Sequence, residues 1–182
     1  MKVLLDFHYS DFWAEPAVQL IPKAWKKDVN NTEKMCSDVY DFTKESIQKF
    51  KDGGANIGMV QVGNEITNGL LGIYSNRDKG ESFNVIWGDK KKSTEVNKYL
   101  KAGIKAVREC TPQALVALHL ETPNVWKYKT IMNTWKRDNV DYDVLGSSYY
   151  PFWSIAAKAN TPKTLKRCAD TGSFLWKDVC SI

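Results

Sequence analysis

The chain lacks any long apolar run. None of its 182 residues falls in an uninterrupted hydrophobic stretch of about 18, so no membrane-spanning helix is expected. No Cys-x-x-Cys pair links its four cysteines, Cys36, Cys110, Cys168 and Cys180, which argues against a structural zinc site. No strand-like run is followed by GxGxxG or GxxxxGK[ST], so the sequence calls for no nucleotide cofactor, and we expect no cofactor of any other kind. Low-complexity tracts are missing too. The opening Met1-Lys2-Val3-Leu4-Leu5-Asp6-Phe7-His8 is too short in its apolar part, and too poor in small residues, to be a secretory leader. It reads as a strand that starts at the first residue. A domain that opens in mid-strand, with no preceding turn or cap, creates the expectation of further sequence upstream.

What is present is sufficient for one cored domain over residues 1–182: 43% of the residues are hydrophobic. The formal net charge is +5, but the basic residues fall mostly on helix faces and alternate with acids. The one cluster is Asp89-Lys90-Lys91-Lys92. A solvated surface accounts for this pattern, and no nucleic-acid or membrane partner is expected. Buried or half-buried thiols are the default for the cysteines, two of which, Cys36 and Cys110, lie in helical segments.

Strand-like and helix-like runs alternate. Strands are expected over 2–8, 57–62, 114–118 and 142–147, with a fifth beginning near the end of the chain. Helices are expected over 32–51, with Met35, Val39, Phe42 and Phe50 among its apolar positions, and over 94–109, 126–137 and 162–169. Gly53-Gly54 is a stop signal for the first helix. Residues 66–93 read as one long loop. Alternation of this kind implies parallel strands with helical crossovers, apolar on both faces where helices cover the sheet. A complete eight-stranded barrel needs about 250 residues, more than this chain offers. A complete doubly wound sheet is the alternative, against which stands the missing phosphate loop.

Parallel strands place their C-terminal ends on one face, and here those ends are polar or aromatic. The first runs into Asp6-Phe7-His8-Tyr9-Ser10-Asp11-Phe12-Trp13, the second into Asn64-Glu65, the third into His119 and Glu121, the fourth into Ser147-Ser148-Tyr149-Tyr150-Pro151-Phe152-Trp153. Both histidines of the chain, His8 and His119, occupy such positions, with Glu65 between them. A carboxyl at the C-terminal end of a barrel strand is where barrel chemistry occurs. The set suits a glycosidase, which needs an acid to protonate the leaving oxygen and a second carboxylate on the other side of the sugar. A neighbouring Asn can bond a sugar hydroxyl, and rings such as Trp13 and Trp153 can stack on sugar faces. Core packing is the preferred reading for Phe12 and Phe152.

LLDFHYSDFWAEP, PKAW, MVQVGNEITNGLL, LVALHLETP and YDVLGSSYYPFW resemble glycoside hydrolase family 53, the endo-β-1,4-galactanases. The resemblance runs from Val3 to about Trp153. It implies a (β/α)8 TIM barrel and retaining hydrolysis of β-1,4-galactan, the side chain of type I arabinogalactan and pectin, by a secreted enzyme. By that resemblance Glu65 is the general acid/base and Asn64 the residue that precedes it. His8 and Asp11 belong to the motif at the catalytic end. His119 matches the histidine of the following strand, and Tyr149 or Tyr150 the tyrosine that approaches the nucleophile. Trp153 is the sugar-stacking ring.

The chain departs from the family in two respects. The family has two βα units before its LLDFHYSDFW strand, which here begins at residue 3. Its nucleophile is a Glu ending the seventh strand, and the segment here resembling that strand, Trp176 to Ile182, stops short of it. The expectation is therefore an α/β partial barrel, strands three to six plus the start of seven, truncated at both ends, with the nucleophile absent and little galactanase activity of its own. A non-catalytic galactan-binding remnant is the alternative. A metal-dependent hydrolase using His8, Asp11, Glu65 and His119 as ligands is disfavoured, because such barrels carry a His-x-His pair where this chain has His8-Tyr9-Ser10.

Overall fold

Five parallel strands carry the molecule. The computed structural model describes residues 1–150, 161–173 and 178–181. In chain order the main elements are β1 (Val3–Phe7), α1 (Thr32–Asp52), β2 (Ile57–Val62), β3 (Gly69–Leu70), β4 (Ile73–Tyr74), α2 (Asn84–Trp87), α3 (Lys90–Cys110), β5 (Leu115–Leu120), α4 (Val125–Arg137), β6 (Val144–Ser147), α5 (Pro162–Ser173) and β7 (Asp178–Ser181). The large sheet has the order β1-β2-β5-β6-β7, and β3 with β4 forms a separate small hairpin. Every pairing in the large sheet is parallel, the arrangement that strand–helix alternation implies.

The central strands β5 and β6 are buried on both faces, from Val116 to Leu120 and from Val144 to Ser147. On β1, by contrast, burial alternates: Leu5 and Phe7 point into the core while Leu4 is 42% exposed. Register between β1 and β2 skips one residue, Val3 facing Ile57 and Leu4 facing Met59. The extra residue is Gly58, where a Cβ would lie 2.8 Å from the Lys2 side chain.

Helix α1 starts on Asn31, whose side chain accepts the Lys34 N–H at 3.0 Å, and stops at Gly53. Its buried stripe is Met35, Val39, Thr43 and Ile47, each one turn from the last. Phe42 and Phe50, expected on that stripe, are about half exposed. Phe42 lies on the flank, edge-on to Phe7 and Trp25. Helix α3 begins four residues before its expected start, because Asp89 accepts the N–H groups of Lys91 and Lys92 at 2.8 and 3.0 Å. The lysine cluster is thus the first helical turn, and these bonds hold the Asp89 carboxyl below its ordinary range. Gly103 lets α3 press onto the sheet: a Cβ there would come within 2.5 Å of Tyr9 Oη and 2.9 Å of Val62 Cγ1.

The segment 66–93 is not one loop. It holds a 3₁₀ turn at Ile66–Asn68, the β3–β4 hairpin, a second 3₁₀ turn at Arg77–Lys79, helix α2 and the start of α3. Two-residue strands and a four-residue helix are too short to show a period, which is why the sequence reads as loop. The segment is also deeply packed. Ile66, Leu70 and Leu71 are buried, and the Trp87 indole donates to Thr67 O at 2.6 Å. Strand β6 starts two residues later than expected, since Tyr142 leaves the strand to pack edge-on against Trp135. Cys36 and Cys110 are half-buried and Cys168 is buried, all three as free thiols. No helix among the described residues is long and apolar enough to cross a membrane.

Candidate active site

The C-terminal ends of β1, β2, β5 and β6 meet at one edge of the sheet, and a continuous hydrogen-bonded network joins them. Strand β2 leaves the sheet through Gly63, at φ +84°, and reaches Glu65 in the left-handed region, at φ 47° and ψ 46°. A non-glycine residue held there stores about 1–2 kcal/mol of backbone strain. What holds it is tertiary: the Glu65 N–H donates to His119 Nδ1 at 3.2 Å, and the Gln19 amide donates to Asn64 O at 2.9 Å. On the side-chain side, the Ser148 hydroxyl donates to Glu65 Oε1 at 2.5 Å and meets His119 Nε2 at 2.9 Å.

Behind this first row lies a second. Asn64 is 7% exposed; its Nδ2 donates to Ala14 O at 2.8 Å, and its Oδ1 lies 2.8 Å from His119 Nδ1. Gln61 Nε2 donates to Asn64 Oδ1 at 3.2 Å and to Asp6 Oδ1 at 2.6 Å. Asp6 Oδ2 faces His8 Nε2 at 3.1 Å, and His8 Nδ1 accepts the Ala14 N–H at 3.0 Å. That last bond leaves neutral His8 with its proton on Nε2, directed at Asp6. Ala14 closes the circuit, giving its N–H to His8 and its carbonyl to Asn64.

Burial is the first cause of the Glu65 carboxyl's raised pKa. The carboxylates of Glu121 and Glu15 push it the same way, while the Ser148 bond and the charge of His8 pull against them. Burial also pushes the His119 imidazole down to about 4, so this ring is neutral at neutral pH. Asp6 is raised, again chiefly by burial and in spite of His8. A carboxyl poised above its ordinary range at a strand end can hold a proton and deliver it, as a general acid requires.

Of the residues singled out in the sequence, Glu65, Asn64, His8 and His119 come together. Asp11 does not join them: its Oδ2 accepts the Lys23 N–H at 2.7 Å and braces the loop after β1. With Asp11 turned away, the four residues of the metal-hydrolase alternative are not assembled, and among the described residues no cluster of three or more His, Cys, Asp or Glu is placed to hold a metal ion. Tyr149 is half-buried and Tyr150 is 50% exposed, both directly after Ser148. Trp153 and Phe152 lie outside the described residues. Trp13 is 77% exposed, and Phe12, expected in the core, is 73% exposed. The chain turns outward after Tyr9, which takes the buried position, and Phe12 instead borders a groove of about 420 Å³ with Leu20 and Ile21.

Four side chains of the network were not singled out as site residues from the sequence: Asp6, Gln19, Gln61 and Ser148. Gln61 carried a signal, as the sole polar side chain within the run Ile57 to Val62. Ser148 carried none beyond its place after a strand.

The family model described as glycosyl hydrolase family 53 matches residues 1–177. The chain belongs to glycosyl hydrolase family 53. Among relatives in this family, an endo-β-1,4-galactanase of Bacillus subtilis is 42% identical over 172 residues, covering 94% of this chain and 35% of the relative. An arabinogalactan endo-β-1,4-galactanase of Humicola insolens is 31% identical over 184 residues, covering 97% of this chain and 49% of the relative. The family 53 catalytic domain of Ignisphaera aggregans superposes with a TM-score of 0.75 at 30% identity, over 93% of this chain and 42% of that one. A fungal β-1,4-galactanase structure gives 0.78 at 27% identity, over 100% of this chain and 52% of that one. The chain therefore spans from about a third to about half of the length of these family 53 relatives, and its α/β architecture with a parallel sheet is that of the matching part of their barrels.

Proposed function

We propose that this chain carries the acid/base side of a retaining endo-β-1,4-galactanase site, with Glu65 as general acid/base and β-1,4-galactan, the side chain of type I arabinogalactan and pectin, as the polysaccharide substrate. The observation that carries this reading is the half-buried Glu65 carboxyl, raised by burial and held by Ser148 at the end of β2. Protonated, it gives its proton to the leaving glycosidic oxygen; ionised, it takes one from the water that completes the second step. The partner carboxylate, the nucleophile, is not assigned to any residue of this chain. In this reading residues 1–182 are part of a single secreted catalytic domain, and the five strands correspond to strands three to seven of a (β/α)8 barrel. His119 and Asn64 shape the acid's surroundings, and one N–H of the Asn64 amide is left for a sugar hydroxyl. His8, Tyr149 and Tyr150 are assigned to sugar contact, Asp11 supports them through the loop after β1 that its Lys23 bond braces, and Trp153, outside the described residues, keeps the stacking role that family resemblance implies.

The exposed Phe12 and Trp13 rings favour a second reading, galactan binding without turnover. Incubating the polypeptide with linear β-1,4-galactan separates the two. Retention by galactan together with reducing-end release that Glu65→Gln abolishes supports the hydrolase. Retention with no release, unaltered by Glu65→Gln, supports the binding protein. Failure to bind galactan at all overturns both.

A further inference from the structure

His119 has more neighbours than one neutral imidazole can satisfy in a single form. It carries one ring N–H. At Nδ1 it faces a donor, the Glu65 N–H at 3.2 Å, and an acceptor, Asn64 Oδ1 at 2.8 Å; Gln61 Nε2 stands farther off at 3.5 Å, its two N–H groups already given to Asp6 and Asn64. The Asn64 amide cannot turn over to remove the conflict, because its Nδ2 is held by Ala14 O and its Oδ1 by Gln61 Nε2. Either tautomer thus leaves one mismatch at Nδ1, and neither is strongly preferred from that side. The decision falls to Nε2, where the one partner among the described residues is the Ser148 hydroxyl, itself 2.5 Å from Glu65 Oε1.

We propose that Ser148 and His119 form a tautomeric relay that follows the protonation state of Glu65. When Glu65 is ionised, Ser148 donates its proton to Oε1 and must accept at its oxygen, so His119 carries its proton on Nε2 and receives the Glu65 N–H at Nδ1. When Glu65 is protonated, the carboxylic acid donates to Ser148 Oγ and the serine hydroxyl turns to His119 Nε2. His119 then carries its proton on Nδ1, directed at Asn64 Oδ1. The imidazole gives up one proton and gains one, staying neutral throughout, and the net uptake is the single proton on Glu65. Ser148 is a positioning residue in this scheme: it offers the carboxylate a donor and the carboxylic acid an acceptor. A general acid that must later act as a base needs both.

Other charged groups face the pair without breaking the link. Asp6 and His8 on the β1 side, Glu15 from the loop after it, and Glu121 after β5 bias where Glu65 titrates. Glu121 is itself paired with Lys127 of α4 at 2.9 Å, and Tyr128 is occupied by Ser147 at 2.7 Å. None of them bonds to Ser148. Because burial takes the His119 imidazole down to about 4 while Glu65 is raised, the carboxyl titrates while the ring is still neutral.

The inference takes from the reading of Glu65 as acid/base only its catalytic meaning, and it is testable without substrate. Long-range ¹H–¹⁵N spectra of the histidine rings distinguish Nδ1–H from Nε2–H, and this chain has only two histidines to assign. In the wild-type chain the His119 N–H moves from Nε2 to Nδ1 as pH falls through the Glu65 titration. In Glu65→Gln it does not move with pH. In Ser148→Ala it no longer follows Glu65, while Ser148→Thr, which keeps the hydroxyl, retains the exchange. A His119 tautomer constant through the Glu65 titration overturns the proposal, as does an exchange that persists in Ser148→Ala. Should Ser148→Ala fail to fold, the wild-type titration and Glu65→Gln decide alone. A chain that shows the exchange but never cleaves galactan rejects the hydrolase reading and keeps the relay; hydrolysis without the exchange does the reverse.

Discussion

The backbone N–H of Glu65 donates to Nδ1 of His119 across 3.2 Å, so a buried ring on β5 holds a residue just past the end of the neighbouring β2 in a left-handed turn. The same ring meets the Glu65 side chain through Ser148. Orientation and protonation of the carboxyl therefore share a support, and substitutions on either side should report on both.

Glu65→Gln should stabilise the fold at neutral pH. A carboxyl whose pKa is raised by folding holds its proton more tightly in the folded state, so its ionised form costs stability, and that cost is relieved as pH falls through its folded pKa. Gln retains a partner for Ser148 and carries no charge. Urea unfolding at pH 7 should show a gain of about 0.5–2 kcal/mol, the usual size of a single stabilising substitution, and the gain should shrink toward acid pH. An unchanged or lower midpoint at pH 7 would count against the burial of a charge there.

His119 should impose the opposite slope. Its imidazole stands near 4 in the fold against 6.5 for the free side chain, so the folded state binds fewer protons between those values. Stability is fully present above the upper value and is lost as pH falls toward the lower, by up to about 3 kcal/mol. Glu65 masks this in the wild type, so the measurement belongs in Glu65→Gln: its unfolding free energy should fall steeply between pH 7 and pH 4.5. Adding His119→Gln should flatten the curve.

Gly103→Ala should destabilise the protein although alanine is the better helix former by about 1 kcal/mol. The new methyl would meet Tyr9 Oη and Val62 Cγ1, and neither can retreat. Tyr9 is fully packed, and its hydroxyl bonds Thr43 Oγ1 at 2.8 Å. Overpacking costs about 1–3 kcal/mol, enough to outweigh the propensity gain. Thermal unfolding followed by circular dichroism gives the sign directly.

Thr122→Gly should go the other way. Thr122 sits at φ 42°, a conformation that β-branched residues avoid. Removing the side chain relieves the strain but adds entropy to the unfolded chain, for a net gain of about 1 kcal/mol. A loss of stability in urea would show that Thr122 has a contact worth more than its strain.

Where a period or a cap signal was long enough, the sequence was legible. The helix expected over 94–109 is α3, and its apolar positions Val96, Tyr99, Leu100, Gly103, Ile104 and Val107 are all buried, because a helix of nearly six turns repeats its signal often enough to be read. The parallel sheet was legible from alternation alone, and Glu65 and His119 from their places at strand ends. What escaped was decided by tertiary contact. Phe42 and Phe50 are as apolar as Met35 but lie off the stripe that faces the sheet. Ser148 looks like any serine after a strand until two other strands bring Glu65 and His119 to it. Asp11 shares a motif with His8, yet its side chain turns to the Lys23 amide, a bond set by the path of the loop after β1.

Between Gly63 and Gly72 five residues hold positive φ angles, Gly63, Glu65, Gly69, Leu71 and Gly72, and the three large apolar side chains of the stretch, Ile66, Leu70 and Leu71, are at most 2% exposed. This stretch is connecting chain by geometry and core by environment. An acid mounted on such a stretch cannot swing toward a ligand. In the proposed acid/base role the backbone that carries the carboxyl is oriented once, during folding, and proton transfer leaves only the Ser148 hydroxyl and the His119 proton to readjust.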